Sequence, residues 1–148
     1  MPDLDLSLAI AHHLAVFGMI TVIASEMAIA RPGIGAQEVL RLARIDTAYG
    51  ILALIVLAVG FARAIFAAKG WDYYSGNGFF HAKLGAFVAA GVLSIWPTMA
   101  FIRWRRALKD NPAALPAEGE VRRVRLFIYL ELGLIALMLV FAAAMARG

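Results

Sequence analysis

The sequence predicts an all-α protein, a transmembrane four-helix bundle with both termini outside. Hydrophobic residues make up 63% of the 148 residues and charged residues only 16%, whereas roughly a quarter of the residues of a soluble domain are charged. The apolar residues form four continuous segments, each near the ~20 residues that an α-helix needs to cross a bilayer. So little of the chain lies between them that residues 1–148 are expected to form a single transmembrane domain.

The predicted helices cover, in chain order, residues 6–30, 37–68, 79–106 and 121–146. The first follows Asp3 and Asp5 rather than basic residues, so we expect it to remain as a membrane span rather than to be a cleaved signal peptide. The second connection, KGWDYYSGNG, combines turn residues with the interfacial aromatic residues Trp71, Tyr73 and Tyr74. The third, KDNPAALPAEGE, is a Pro- and Ala-rich turn segment between antiparallel helices.

Basic residues are distributed unequally between the two sides of the predicted bundle. The larger group flanks the first and third connections: Arg31, Arg41, Arg44, Arg103, Arg105, Arg106, Lys109, Arg122, Arg123 and Arg125. The smaller group, on the opposite side, is Arg63, Lys69, Lys83 and Arg147. The positive-inside rule therefore predicts a multi-pass protein of the bacterial inner membrane whose basic connections are cytoplasmic. The net charge of +4 follows from this topology, and no nucleic-acid partner is expected.

Several ionisable side chains, which cost free energy to place in lipid, fall at one depth in the outer half of the predicted bundle. They are His12 and His13 in the first helix, Arg63 in the second, and His81 and Lys83 in the first turn of the third. Packing of a histidine and snorkelling of a cationic side chain are the alternatives, but ionisable groups in lipid usually face the bundle interior and indicate function. We therefore predict a cofactor site formed by these five residues.

Helical geometry distinguishes the members of each pair. At about 100° per residue, His12 shares a stripe with Glu26, while His13 points away from it. His81 and Lys83 are about 200° apart, so both cannot face one partner. Gly85, on the His81 stripe, would leave a notch for a flat ligand, yet spacing alone does not decide between the two residues.

Nitrogen donors on separate helices inside a membrane suit haem b, because imidazoles from facing helices can ligate the iron while a cation pairs with a propionate. His12 and His81 are the predicted axial ligands, with Lys83 as the alternative to His81 and Arg63 as a cation for a propionate. The chain has no cysteine, so the haem would be bound non-covalently. A zinc site is less favoured, because it needs three or four protein ligands.

A second polar group falls at comparable depth on the inner side. It is formed by Glu26, Arg44, Asp46, Arg125 and Glu131. We interpret it as an ion-pair network that locks the helix ends. A polar stripe along the second helix, from Tyr49 to Arg63, would also suit a proton route or a quinone pocket.

Several segments of the chain resemble those of two families of membrane proteins. A histidine in helix one, FHAKL opening helix three, RWRR closing it and an acidic residue early in helix four resemble the HemJ-type protoporphyrinogen oxidases. The third helix, GFFHAKLGAF…SIWPT…RWRR, is also similar to that of an uncharacterised family of small bacterial membrane proteins. The first resemblance implies haem b held near His12 or His13, His81 and Lys83, with Glu131 at the place of a helix-four glutamate. Helix four of this chain contains the segment YLELG and lacks the Asn-Glu-x-Pro run of those oxidases.

The function expected from the sequence is therefore that of a haem b-binding membrane redox protein that oxidises protoporphyrinogen IX or a related substrate. One alternative is a non-catalytic b-type cytochrome that exchanges electrons with quinone. Another is an interaction or transport subunit without a cofactor. The expected partners are the lipid bilayer, haem and a quinone or porphyrin substrate, and the sequence leaves open a homo-oligomer. It also leaves open whether the protein is an enzyme, which would then be an oxidoreductase.

Overall fold

The computed structural model of the protein describes residues 2–66 and 70–147. Its helices are α1 (Pro2–Ile29), α2 (Ala36–Phe66), α3 (Gly70–Ser75), α4 (Gly78–Asp110) and α5 (Glu118–Arg147), with no strand in the described part of the chain. The four long helices are each long and apolar enough to cross a membrane. The predicted all-α transmembrane four-helix fold is therefore confirmed. The predicted end of the second helix at residue 68, like Lys69, lies outside the described residues.

Local chemistry explains where the long helices begin and end. The Asn77 side chain accepts a hydrogen bond of 2.9 Å from the Phe79 backbone N–H and so caps the start of α4. At the first connection, Gly33 has a φ of +88°, which favours glycine because a Cβ would be strained there. The second connection was predicted as a turn, but part of it forms the short helix α3, which ends at Ser75.

Hydrogen bonds identify which helix ends lie together. At the end of the bundle that contains both termini, called the termini end here, the Tyr73 hydroxyl of α3 donates to the Met145 carbonyl of α5 over 2.9 Å. At the opposite end, called the basic end, Arg125 of α5 donates to the Met27 and Ala30 carbonyls at the end of α1, both over 2.8 Å. An ion pair between Arg103 and Glu120 also joins α4 to α5 there. Successive long helices are thus antiparallel.

One face of each long helix is buried against the others. On α1 the buried face contains Met19, Ile23 and Glu26, while Leu14 and Phe17 are exposed, as expected for positions that contact lipid. A larger set of small and apolar residues fills the centre, including Val39, Leu42, Ala100, Phe101, Val121, Val124, Ile128 and Ile135. The inward faces carry the polar groups described next.

Candidate functional site

A cavity opens among the long helices toward the termini end. It has a volume of about 670 Å³, its open mouth included, and it is lined by residues of α1, α2, α4 and α5. Most of the lining is apolar, with Met19, Phe87 and Met138 at its deeper part. Among the described residues of the lining, His12 and Lys83 are the two with side-chain nitrogen. The apolar character of this termini-end cavity is typical of a small-molecule site.

His12 reaches this cavity and His13 does not. The half-buried His12 lines the wall, and its buried Nδ1 atom has no hydrogen-bond partner among the described residues. Gly60 of α2 makes room for the ring, because a Cβ at that position would lie 3.4 Å from His12 Cε1. The exposed His13 instead donates from Nδ1 to the Ala9 carbonyl of its own helix over 2.7 Å.

On α4 the structure brings Lys83 to the cavity and leaves His81 outside it. The half-buried Lys83 lines the wall, and its Nζ lies 5.8 Å from the centre of the Phe80 ring. The exposed His81 donates from Nε2 to the Ser75 carbonyl over 2.6 Å, so that nitrogen has no free lone pair for a metal. Gly85 is also exposed and takes no part in the wall. The glycine in the wall of this cavity is Gly60 of α2.

Arg63 adds a second cationic side chain to this region. It is half-buried, with an Nε atom that has no hydrogen-bond partner in the described ranges. Arg63 lies close enough to His12 and Lys83 for its charge to act on both. None of the ion pairs found within residues 2–66 and 70–147 involves Arg63 or Lys83. Among the described residues, the cations at and beside the termini-end cavity therefore form no ion pair with a carboxylate.

The second group of polar residues differs from the predicted ion-pair network. Glu26 and Glu131 are each 1% exposed and Asp46 is 8% exposed, and these three residues are called the carboxyl cluster below. The carboxyl groups of Glu26 and Asp46 lie within hydrogen-bonding reach of each other. The Tyr49 hydroxyl lies within reach of Glu131. Thr98 of α4 donates to Asp46 Oδ2 over 2.7 Å.

The expected cations are absent from this cluster for two reasons. Arg44 lies on the exposed face of α2, and Arg125 uses its guanidinium for the carbonyls at the end of α1. Cations are favourable at a helix C-terminus, where the last carbonyls have no partner within the helix. In the described part of the chain, no ion pair involves Glu26, Asp46 or Glu131. The prediction of an ion-pair network is thus wrong in its pairing, although its acidic members do meet.

A second cavity lies between the two polar regions. This middle cavity, of about 440 Å³, has Asp46, Tyr49, Ser94 and Thr98 in its wall. It shares Met19, Phe87, Ile135 and Met138 with the termini-end cavity. Only one layer of apolar side chains therefore lies between the two cavities.

A bare metal ion and haem make different demands on these residues. Within the described ranges, no group of three or more His, Asp or Glu side chains is arranged to hold one. Haem differs because its macrocycle supplies four of the iron ligands, so the protein needs to provide only one or two.

Sequence reasoning missed Gly60 and Thr98. The signals were a glycine on α2 at the depth of His12 and a hydroxyl after Pro97, within α4.

A comparison with protein families gives one match. The family model described as "Predicted membrane protein (DUF2214)" matches residues 4–148. The chain belongs to this family. No match was found among curated proteins or solved structures. The comparisons thus identify a family of predicted membrane proteins and give no support specific to the HemJ-type oxidases.

Proposed function

We propose that the protein is a haem b-binding membrane redox protein, with the haem in the termini-end cavity. The observation that carries this proposal is the His12 Nδ1 atom, a buried imidazole nitrogen without a partner among the described residues, in the wall of an apolar cavity. A buried polar atom without a partner is costly, and an axial bond to iron would satisfy it.

The other residues of the cavity fit the same ligand. Lys83, on a different helix from His12, offers the second axial donor in place of His81. Arg63 provides a cation for a propionate, since no ion pair within the described ranges uses it. The apolar lining would cover the macrocycle and exclude water. Bound haem would supply one-electron redox chemistry, and the protein would set its potential through these donors and through burial.

Relay of electrons to or from a lipid-soluble partner such as quinone is the activity that this arrangement favours. Oxidation of protoporphyrinogen IX is the enzymatic form of the proposal, and the FHAKL segment supports it. His81 of that segment lies outside the cavity, so the support rests on Lys83. Formation of protoporphyrin by the purified protein would distinguish the oxidase from a carrier.

The visible spectrum of the protein purified from haem-replete membranes tests the proposal. We expect a Soret band, sharp α and β bands after reduction, and release of the haem by acidic acetone, since the chain has no cysteine. His12→Ala should purify without colour. His13→Ala is the matched control and should keep the spectrum, because His13 is exposed and bonded within its own helix.

Two results would overturn this assignment. One is a colourless wild-type preparation that also fails to bind added haemin. The other is a His12→Ala protein that retains the wild-type spectrum, since the haem would then be held elsewhere.

We also propose that the termini end faces the outside of a bacterial inner membrane and the basic end the cytoplasm. The support is the large excess of Lys and Arg near the connections of the basic end. A reporter fused after Gly148 should behave as periplasmic, and one inserted at Pro112 as cytoplasmic. The reverse pattern would invert the orientation but would leave both cavities unchanged.

A further inference from the structure

The carboxyl cluster poses a charge problem that the proposed haem site does not address. Glu26 and Glu131 are 1% exposed and Asp46 is 8% exposed, all within membrane-spanning helices. A buried charge is expensive unless a cation or several hydrogen bonds compensate it, and nearby like charges add repulsion. No ion pair reaches these residues from the described part of the chain. Three ionised carboxylates at this place would be strongly destabilising.

The geometry offers a proton as the compensating charge. Two carboxyl groups within hydrogen-bonding reach, as Glu26 and Asp46 are, attract each other only when one of them carries a proton. The Thr98 hydroxyl donates to Asp46 Oδ2, which favours Asp46 as the acceptor in this pair. A protonated carboxyl group accepts hydrogen bonds more weakly than a carboxylate does. Glu26 Oε1 fits this, because it is buried and has no hydrogen-bond partner among the described residues.

We propose that the carboxyl cluster is a proton-binding site that keeps a proton between Glu26 and Asp46 at neutral pH and exchanges it with water in the middle cavity. Release would break a carboxyl O–H bond and transfer the proton to a water oxygen, leaving a carboxylate and a hydronium ion. Uptake is the reverse step, so it requires no oxidant or further reactant.

Each of the four long helices places groups at the site that support this assignment. From α1 there is Glu26, from α2 Asp46 and Tyr49, and from α5 Glu131, while α4 contributes the Thr98 hydroxyl. The nearest cation described on α5 is Arg125, whose guanidinium is bonded to the carbonyls at the end of α1. The groups described at the site are therefore acids and hydroxyl groups, which can share a proton directly through hydrogen bonds.

The middle cavity offers a place for the water that would accept the proton. Its polar wall is formed by Asp46, Tyr49, Ser94 and Thr98, and several polar partners are what a buried water needs. The exposed glycines Gly50 and Gly91 also line the cavity, and a Cβ at either would meet nothing within 4 Å. The cavity therefore has a shallow side between α2 and α4 as well as its polar side.

Infrared difference spectroscopy of the membrane-embedded protein tests the proposal directly. At neutral pH the wild type should show the C=O stretching band of a protonated carboxylic acid, and the band should shift to lower frequency after transfer to D2O. Glu26→Gln should remove the band, and Asp46→Asn should remove or displace it. The side-chain amide introduced by Glu26→Gln can still donate to Asp46, so this variant should keep its fold.

The matched control is Glu118→Gln. This carboxylate is 66% exposed and pairs with Arg122 at 3.6 Å, so it lies outside the carboxyl cluster and its replacement should leave the band unchanged. The measurement should give the same result in His12→Ala protein, which separates this inference from the haem proposal. Thermal unfolding of each variant verifies that the fold is retained.

The result that overturns the proposal needs no variant. If the wild type shows no carboxylic acid band at neutral pH, the cluster is ionised and must bind another cation. A band that persists in both Glu26→Gln and Asp46→Asn belongs to another residue and contradicts the assignment. A band that does not shift in D2O contradicts exchange through the cavity.

Discussion

The two polar regions of this bundle have opposite electrostatic character. The termini-end cavity has an imidazole nitrogen without a partner, with Lys83 and Arg63 nearby, and no ion pair reaches these cations from the described residues. The carboxyl cluster contains three acids and likewise has no ion pair within those ranges. Opposite charges attract far more strongly in a low-dielectric interior than in water. A bundle that needed its charges only to lock its helices would pair them, and the two ligands proposed above, haem with its propionates and a proton, would have opposite charges.

The same helix faces carry both regions. His12 and Glu26 are 14 residues apart on α1, as are Asp46 and Gly60 on α2. Fourteen residues are close to four helical turns, so each pair shares a face and is separated by about 21 Å along the helix. The two regions are therefore far apart in distance but aligned on one inward surface. Variants in one region should then leave the other unchanged, which gives a way to test the comparison.

The largest expected effect distinguishes the two candidates on α4. Lys83→Ala should convert a low-spin haem spectrum to high-spin and weaken haem binding by about a hundredfold or more, because loss of an outer-shell partner alone already costs about 10–100-fold. His81→Ala should leave the spectrum unchanged, because its side chain is exposed and bonded to the Ser75 carbonyl. Haemin titration followed by absorbance measures both.

The opposite outcome has a clear meaning. If His81→Ala loses the low-spin spectrum and Lys83→Ala keeps it, α4 must rotate when haem binds. The lysine would then serve a propionate rather than the iron. In either case the carboxylic acid band of the other region should stay where it is in the wild type. A shift of that band in Lys83→Ala would show that the two regions are coupled, which contradicts the expectation that a variant in one region leaves the other unchanged.

A smaller effect is expected from filling the cavity without touching a donor. Gly60→Leu would crowd the His12 ring, since a Cβ alone would already lie 3.4 Å from its Cε1 atom. The added side chain would also occupy space that the haem needs, so haem affinity should fall by about tenfold, equivalent to about 1.4 kcal/mol of binding free energy. Gly85→Leu is the control, because Gly85 is exposed and nothing lies within 4 Å of an added Cβ. Equal affinities for the two variants would place the haem outside this cavity.

Much of the bundle could be predicted from the sequence. The four spans follow from continuous apolar segments, because every backbone polar group in lipid must be satisfied within a helix. The helix ends are less well specified by the sequence, since capping by Asn77 and the helical part of the second connection emerge only in the structure. The depth of each ionisable residue is also set by the sequence, because the rise per residue is constant. Hence the sequence placed His12 level with Lys83, and Glu26 level with Asp46.

What the sequence determined, then, is the all-α class, the spans and the two levels at which polar groups lie. The tertiary structure decided which side of each helix faces inward: Lys83 rather than His81 at the cavity, and Arg125 bonded to carbonyls rather than to Glu26 or Glu131. The physical reason is that lipid is as apolar as the protein core, so hydropathy fixes the depth of a residue but not the rotation of its helix. Rotation is decided by packing against neighbouring helices, as where Gly60 admits the His12 ring.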